Sequence, residues 1–271
     1  MTLQRENGSI IKTLFSLWVL CFFTGMIFHF RAVSSISTGL LLITGLACYK
    51  KKAVSLLFRS SLSPFLISCL LYFLYTVINL LLKDNTTVMR SQLEMKSALV
   101  LLPVAVSFTG FVGSKQLKRL MQYFVLLLLA ACLYCLLIDV NTWIRTGQET
   151  IFFYHDLVSP LNQHAVFFSF LLFFSLLYIL EYGTGFNFLP GKKLDGILTV
   201  FFSLILVLLA SKLILFCWVV YLVYYFLKNK TGKKKLGWLL LLLVPLLLIA
   251  FTKNPVSNRF REIVQTDWAS L

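Results

Sequence analysis

Long apolar runs alternate with short polar segments along almost the whole chain. Hydropathy averaged over about 19 residues predicts nine membrane-spanning helices. Their approximate bounds are residues 10–30, 33–49, 61–82, 97–113, 120–138, 161–180, 196–210, 213–227 and 237–252. The runs suit a hydrocarbon core about 30 Å thick, although the second, seventh and eighth are short. The pattern therefore predicts an all-α, polytopic integral membrane protein with a single helical domain over residues 1–252.

One lysine interrupts the longest of these runs. Lys212 is the only charged residue between Ile197 and Leu227, a stretch that would be about 46 Å long as one helix. A lysine in the middle of the bilayer would cost on the order of several kcal/mol. A turn at Ser211–Lys212 avoids this cost, because it divides the run into two short helices and brings the lysine to the membrane surface. We therefore expect a helical hairpin whose tip carries Lys212.

The composition also indicates a membrane protein. Of the 271 residues, 59% are hydrophobic and 13% are charged, whereas soluble domains are about 45–50% apolar and about 25% charged. The net charge of +15 would suggest nucleic-acid binding in a soluble protein, but here the basic residues lie in short loops and we expect no nucleic-acid partner. Cys132 and Cys135 form a C-x-x-C pair without polar neighbours, which indicates buried apolar residues rather than a metal or redox site.

The loops on the two sides of the membrane differ in charge. Loops on the amino-terminal side hold 16 basic and 3 acidic residues, and the opposite side holds 9 basic and 7 acidic residues. Basic residues mark the cytoplasmic face, so we expect the amino terminus inside and the carboxyl terminus outside. The basic segments PGKKLDG and KNKTGKKKLG, which flank the run containing Lys212, must then both be cytoplasmic. This placement also requires the run to cross the membrane twice.

Polar residues of the outer face concentrate in four segments. They are KDNTTVMRSQLEMKS with Arg90 and Lys96, the long loop DVNTWIRTGQETIFFYHDLVSPLNQHAVFFS with His155 and His164, the hairpin tip with Lys212, and the carboxyl-terminal segment with Arg259 and Arg261. Several cations among aromatic residues at one membrane surface suit a ligand with a phosphate head and an apolar tail. Taken singly, each charge is also explained as a solvated loop residue that contacts lipid headgroups.

The two outer-face histidines leave several roles open. His155 and His164 are nine residues apart, which is not the spacing of a helical zinc site. A general base, a hydrogen bond to substrate and a structural role at the membrane interface are each compatible with either residue. Nothing in the chain matches a nucleotide-binding loop, so no nucleotide cofactor is expected.

Three stretches of the chain, taken in order, carry a family resemblance. They are LEMKSALVLLPVAVSF, then FFYHDLVSPLNQHAVFFSFLLFFSLLYIL, then LILVLLASKLILFCWVVYLVYYF followed by a basic loop, another apolar run and NPVSNRFREI. Together they cover most of the chain, and their order and spacing resemble the O-antigen ligase and O-antigen polymerase family. Members of that family are glycosyltransferases of the bacterial inner membrane.

The resemblance implies a fold, a reaction and a set of substrate contacts. It implies an all-helical protein that transfers a glycan from undecaprenyl diphosphate to lipid A–core oligosaccharide or to another glycan acceptor, with no metal or other cofactor. The family usually has an arginine at the position of Lys212, where it is thought to engage the donor diphosphate. Lysine keeps the charge but loses the planar fork that binds phosphate through two parallel bonds. Arg259 and Arg261 are expected to assist Lys212, and the candidate substrate contacts are His155, His164, Arg90 and Lys96.

The large external loop of the family would begin near Asn254, and it carries the family's catalytic histidine. The sequence given ends at Leu271, so we expect residues 253–271 to be the start of a truncated periplasmic loop, and we assign no catalytic residue. A chain without that loop can be an inactive transferase. Two other functions stay open, namely a small membrane transporter or flippase, and a non-catalytic partner that binds the glycan lipid. Transport would predict ionisable residues deep within the spans.

Overall fold

All the regular secondary structure in the described part of the chain is helical. The computed structural model describes residues 2–47, 63–82, 101, 103, 105, 114–186 and 191–228. Its α-helices are α1 (Thr2–Ile27), α2 (Arg31–Ala47), α3 (Ser63–Leu82), α4 (Ser114–Thr146), α5 (Ala165–Tyr182), α6 (Gly191–Leu208) and α7 (Lys212–Lys228). Two short 3₁₀ helices, Glu149–Phe152 and Asp156–Leu161, lie between α4 and α5. No strand occurs among these residues, which confirms the predicted all-α class.

Three described helices are long and apolar enough to cross a membrane. Their apolar stretches are Ile10–Ile27, Lys115–Thr146 and Ala165–Tyr182, and shorter apolar helical stretches cover Arg31–Ala47, Ile67–Asn79 and Lys212–Tyr225. Large apolar side chains such as Leu137, Ile144 and Phe216 are exposed on the outer surfaces of the helices. Contiguous apolar surface of this kind is rare in soluble proteins and suits contact with lipid. The helices therefore indicate a membrane protein.

The helix boundaries differ from the predicted ones mainly in α4. The predicted span of residues 120–138 is part of a helix of 33 residues, and the predicted loop residues from Asp139 to Arg145 belong to that helix. Hydropathy reports which residues lie in lipid, whereas helix continuation depends on backbone hydrogen bonds, so a helix can extend into the polar surface layer. The predicted helix at 97–113 is described only at three helical positions, and the one at 237–252 lies outside the described residues.

The described helices belong to two compact units. The first unit comprises Met1–Met26 and Phe30–Leu120, and the second comprises Ile27–His29 and Met121–Leu271. In the first unit, Phe15 of α1 and Leu41 of α2 form a buried core with Ala105. The boundary predicted after residue 252 lies outside the described residues.

Hydrogen bonds from side chains and from the backbone define the two ends of the second unit. At one end, the amide of Gln163 donates to the carbonyl oxygen of Ile27 over 3.3 Å, and the backbone N–H of Tyr154 donates to the carbonyl oxygen of Leu208 over 3.0 Å. These bonds bring together the end of α1, the α4–α5 connection and the end of α6. We call this the loop end.

A polar network marks the opposite end, which we call the basic end. Asp195 near the start of α6 accepts hydrogen bonds from the backbone N–H and the hydroxyl of Thr184, just beyond α5. Gln122 of α4 donates to the carbonyl oxygen of the same Thr184. Glu181 accepts a hydrogen bond from the hydroxyl of Tyr221 over 2.9 Å and pairs with Lys228 over 3.7 Å. Asp195 is thus held by structural hydrogen bonds that fix the α5–α6 connection.

Candidate functional site

The turn between α6 and α7 presents Lys212 at the loop end. Helix α6 ends at Leu208, the next three residues form the turn, and α7 begins at Lys212. This confirms that the apolar run forms two helices rather than one. Ala210 has a positive φ of 49°, a conformation that costs a non-glycine residue about 1–2 kcal/mol. Leu209, Ala210 and Ser211 are buried and Lys212 is partly buried, so packing holds the strained turn in place.

The position of Lys212 is electrostatically unfavourable unless an anion is near. The start of an α-helix carries a partial positive charge and unbonded backbone N–H groups. A cation in the first turn therefore lowers the stability of the folded protein by about 0.3–1 kcal/mol. An anion such as phosphate would be stabilised by the N–H groups and by the lysine together. The turn thus has the charge distribution of an anion-binding site.

The connecting segment, residues 147–164, folds back over the loop end. The ring of Phe152 contacts Trp143 of α4 with centroids 6.3 Å apart. Tyr154 and Asn162 both have positive φ values, 57° and 51°, and so reverse the chain direction on either side of the second 3₁₀ helix. The bond from the Tyr154 N–H to Leu208 joins this segment to the last residue of α6, just before the turn. The long loop and the start of the hairpin turn therefore meet at the end of α6.

His155 and His164 lie against each other at the start of α5. Their ring centroids are 4.5 Å apart in an edge-to-face arrangement, and the Tyr154 ring packs on His155 at 4.0 Å. The Nδ1 atom of His164 accepts a hydrogen bond from the backbone N–H of Val166 over 3.3 Å. The Nδ1 atom of His155 accepts one from the N–H of Ala165 over 3.4 Å. Both histidines therefore cap the first turn of α5, where N–H groups lack helical partners.

These caps determine which ring nitrogen carries the proton. A nitrogen that accepts a backbone N–H must be unprotonated, so the neutral ring carries its proton on Nε2. In this tautomer, Nε2 of each histidine is a hydrogen-bond donor. Such a ring can donate to a phosphate or sugar oxygen, but it cannot accept a proton at Nε2. The caps thus favour the structural and substrate-binding roles over the role of general base.

Substitution of His164 tests its structural role as the cap of α5. We expect His164→Ala to lower the free energy of unfolding by about 1 kcal/mol, because the Val166 N–H loses its acceptor. We expect His164→Asn to restore stability, because asparagine is a favourable N-cap residue. The measurement is thermal unfolding of the purified protein in detergent. Equal unfolding temperatures for the natural chain and His164→Ala would show that the cap contributes nothing.

The remaining predicted contacts lie beyond what the structure describes. Arg90, Lys96, Arg259 and Arg261 are outside the described residues. Among the residues that are described, no group of three or more His, Cys, Asp or Glu side chains is placed to hold a metal ion. Cys132 and Cys135 are buried free thiols on α4, as the apolar surroundings predicted.

One ionisable residue near the site was assigned to a loop from the sequence. Asp139 belongs to α4 and is buried, with 2% of its surface exposed. Its polar character places it at the end of a hydropathy window, so hydropathy alone assigns it to the following loop. The positions Leu128, Cys132 and Cys135 would have indicated its burial, because they recur at helical spacing and Asp139 continues their stripe.

The fold and the site geometry have no recognised counterpart. No protein-family model, no curated protein and no solved structure matches the chain. The function must therefore be inferred from the chain's own residues and from the resemblance of its three stretches.

Proposed function

We propose that this chain is a membrane protein of the O-antigen ligase and polymerase type that binds an undecaprenyl-diphosphate-linked glycan at its loop end. The acceptor of the glycan would be lipid A–core oligosaccharide or another glycan. The setting would be the bacterial inner membrane, with the loop end facing the periplasm. The proposal rests on the order and spacing of the three sequence stretches and on the chemistry of the loop end.

The observation that carries the proposal is the hydrogen bond from the N–H of Tyr154 to the carbonyl oxygen of Leu208. It joins the segment that carries the histidine pair to the end of α6, four residues before Lys212. The resulting surface offers the Lys212 cation, the backbone N–H groups of the first turn of α7, and two rings with donor nitrogens. Charged donors near the membrane surface are what a lipid-linked diphosphate requires.

The same groups suit the departure of a diphosphate in glycan transfer. When an acceptor hydroxyl displaces the diphosphate at the anomeric carbon of the sugar, negative charge accumulates on the leaving phosphate oxygen. Lys212 and the start of α7 would stabilise that charge electrostatically. The Nε2 donors of His155 and His164 would bind the remaining phosphate or sugar oxygens. Arg259 and Arg261 would add charge if the carboxyl-terminal segment reaches this surface.

We also propose that the chain has nine spans, with the amino terminus in the cytoplasm. The excess of basic residues on the amino-terminal side supports this orientation. The loop end and the basic end lie at opposite ends of α5, α6 and α7, so these two ends would face opposite sides of the membrane in either orientation.

Cysteine labelling tests the proposed orientation. In a background without the six natural cysteines, we expect a membrane-impermeant maleimide added outside the inner membrane to label Lys212→Cys and not Lys193→Cys. Lys193 is a suitable control because it is exposed near the start of α6, at the basic end. Labelling of Lys193→Cys alone would place the loop end in the cytoplasm and contradict the proposed donor site.

A reconstituted transfer assay tests the reaction. The purified chain would be placed in proteoliposomes with an undecaprenyl-diphosphate-linked oligosaccharide and lipid A–core acceptor, and the product followed by mass spectrometry. The proposal predicts an acceptor whose mass increases by that of the oligosaccharide. Donor binding without any transfer to lipid A–core or to a second donor molecule would instead indicate a non-catalytic partner of the glycan lipid. Substrate-dependent flux across the bilayer without transfer would indicate a transporter or flippase.

A further inference from the structure

A buried carboxyl group on α4 lacks a hydrogen-bond partner. Oδ2 of Asp139 is inaccessible to solvent and has no hydrogen-bond partner among the described residues. Burial removes the water that normally solvates a carboxyl oxygen, and here no protein donor replaces it. Buried polar groups are nearly always bonded, so an exception requires an explanation, and a catalytic role is one of the known explanations.

Asp139 lies close to the membrane surface at the loop end. Gln122 of the same helix is bonded to Thr184 at the basic end, and Asp139 follows it by 17 residues. At 1.5 Å per residue this places Asp139 about 26 Å further along, against a hydrocarbon core of about 30 Å. Asp139 is therefore near the depth at which α5 begins, where the histidine pair caps that helix.

The connecting segment lies close to the part of α4 that carries Asp139. Its Phe152 ring contacts Trp143, which follows Asp139 by about one helical turn. The same segment carries the histidine pair, so the pair and Asp139 belong to the same end of the second unit.

We infer that Asp139 accepts the proton of the acceptor hydroxyl in glycan transfer, an assignment that rests on the proposed function. The acceptor oxygen forms a bond to the anomeric carbon, and the bond from that carbon to the diphosphate oxygen breaks with its electron pair passing to the diphosphate. The hydroxyl proton passes to Oδ2 of Asp139. Oδ2 is inaccessible in the unliganded protein, so this assignment requires part of the connecting segment to move when the acceptor binds.

The histidine geometry supports the assignment of the proton acceptor to Asp139 and of the hydrogen-bond donors to the histidines. His155 and His164 use Nδ1 as an acceptor for backbone N–H groups and carry the proton on Nε2. They can donate to the diphosphate through Nε2, while their basic Nδ1 atoms already accept hydrogen bonds from backbone N–H groups. Asp139 offers an acceptor oxygen that no described residue occupies. A general base of this type contributes roughly 100-fold to 10,000-fold to a rate.

If Asp139 is the proton acceptor, removing its carboxyl group should lower the transfer rate without lowering the unfolding temperature. We expect Asp139→Asn to bind undecaprenyl diphosphate as the natural chain does and to unfold at the same or a higher temperature. We expect its transfer rate to fall at least about 100-fold. Asp139→Ala should lose transfer in the same way and regain part of it with added formate, since formate can occupy the space of the missing carboxyl group. Asp156→Asn is the matched control, because it removes a negative charge from an exposed position, and it should retain most of the transfer.

The possible results distinguish failure of this assignment from failure of the proposed function. Full transfer by Asp139→Asn, with transfer by the natural chain, would overturn the role of Asp139 alone. Lost transfer with a lower unfolding temperature and no formate rescue would overturn it in favour of a structural role. Absence of transfer by the natural chain itself would overturn the proposed function and this role with it. Lost transfer with unchanged donor binding and formate rescue would support both.

Discussion

Replacing Lys212 with alanine should weaken binding of undecaprenyl diphosphate about 10-fold to 100-fold. Hydrogen bonds to charged groups contribute about 1.5–3 kcal/mol, and each 1.4 kcal/mol corresponds to about tenfold in affinity. Lys212→Arg should retain binding or strengthen it, because a guanidinium group can form two parallel bonds to a phosphate. The measurement is equilibrium binding of fluorescent undecaprenyl diphosphate to the protein in nanodiscs. Lys193→Ala, which removes an exposed charge at the basic end, is the control and should bind normally.

The unliganded protein should respond differently to the same substitution. Lys212 lies in the first turn of α7, where a positive charge opposes the helix dipole. Lys212→Ala should therefore unfold at the same or a slightly higher temperature than the natural chain when no donor lipid is present. Affinity that falls equally in Lys212→Ala and Lys193→Ala would show that only the overall charge of the protein matters. That result would contradict a specific contact at the α6–α7 turn.

Replacing Gly45 with alanine should destabilise the first unit strongly. A Cβ atom at Gly45 would lie 2.7 Å from the carbonyl oxygen of Ala105 and 3.2 Å from its Cα atom. Both are backbone atoms, so relief requires the two helical segments to separate. Small residues allow such close approach between membrane helices, and overpacking typically costs about 1–3 kcal/mol. We expect a loss in that range or above it, measured by unfolding in detergent.

Gly39→Ala provides a matched control on the same helix. No atom lies within 4 Å of a Cβ built at Gly39, so alanine meets no obstacle there. The substitution should leave stability unchanged or raise it by about 0.5–1 kcal/mol, since alanine is the better helix former. The difference between the two variants isolates the steric contact, because both carry the same change in helix propensity. Equal stabilities would mean that α2 and the segment around Ala105 do not approach closely.

The hairpin at Lys212 could be predicted because a charge inside an apolar run has few low-energy positions. The run was also too long for one span and was flanked by basic segments on both sides. These independent constraints predict a turn at Ser211–Lys212, and the structure has it at residues 209–211, with Lys212 as the first residue of α7. Helix α4 was less predictable, since hydropathy falls at its polar ends while its backbone hydrogen bonds continue.

The contact between His155 and His164 could not be predicted from their spacing. It depends on a 3₁₀ helix that contains Pro160 and on left-handed backbone at Tyr154 and Asn162. Asparagine is enriched in this conformation, but tyrosine rarely marks it. Tertiary packing decides this local geometry. The tautomer of each histidine follows from the same geometry, so it could not be predicted from the sequence either.

Photocrosslinking of the donor lipid tests the loop-end binding site most directly. A diazirine analogue of undecaprenyl diphosphate, with the reactive group beside the diphosphate, would be irradiated with the protein in native membranes and the attached peptides identified by mass spectrometry. The account predicts attachment within residues 147–164 and the α6–α7 turn, suppressed by excess undecaprenyl diphosphate and strongly reduced in Lys212→Ala. Attachment confined to the basic end, or attachment at the loop end that Lys212→Ala leaves undiminished, would contradict it.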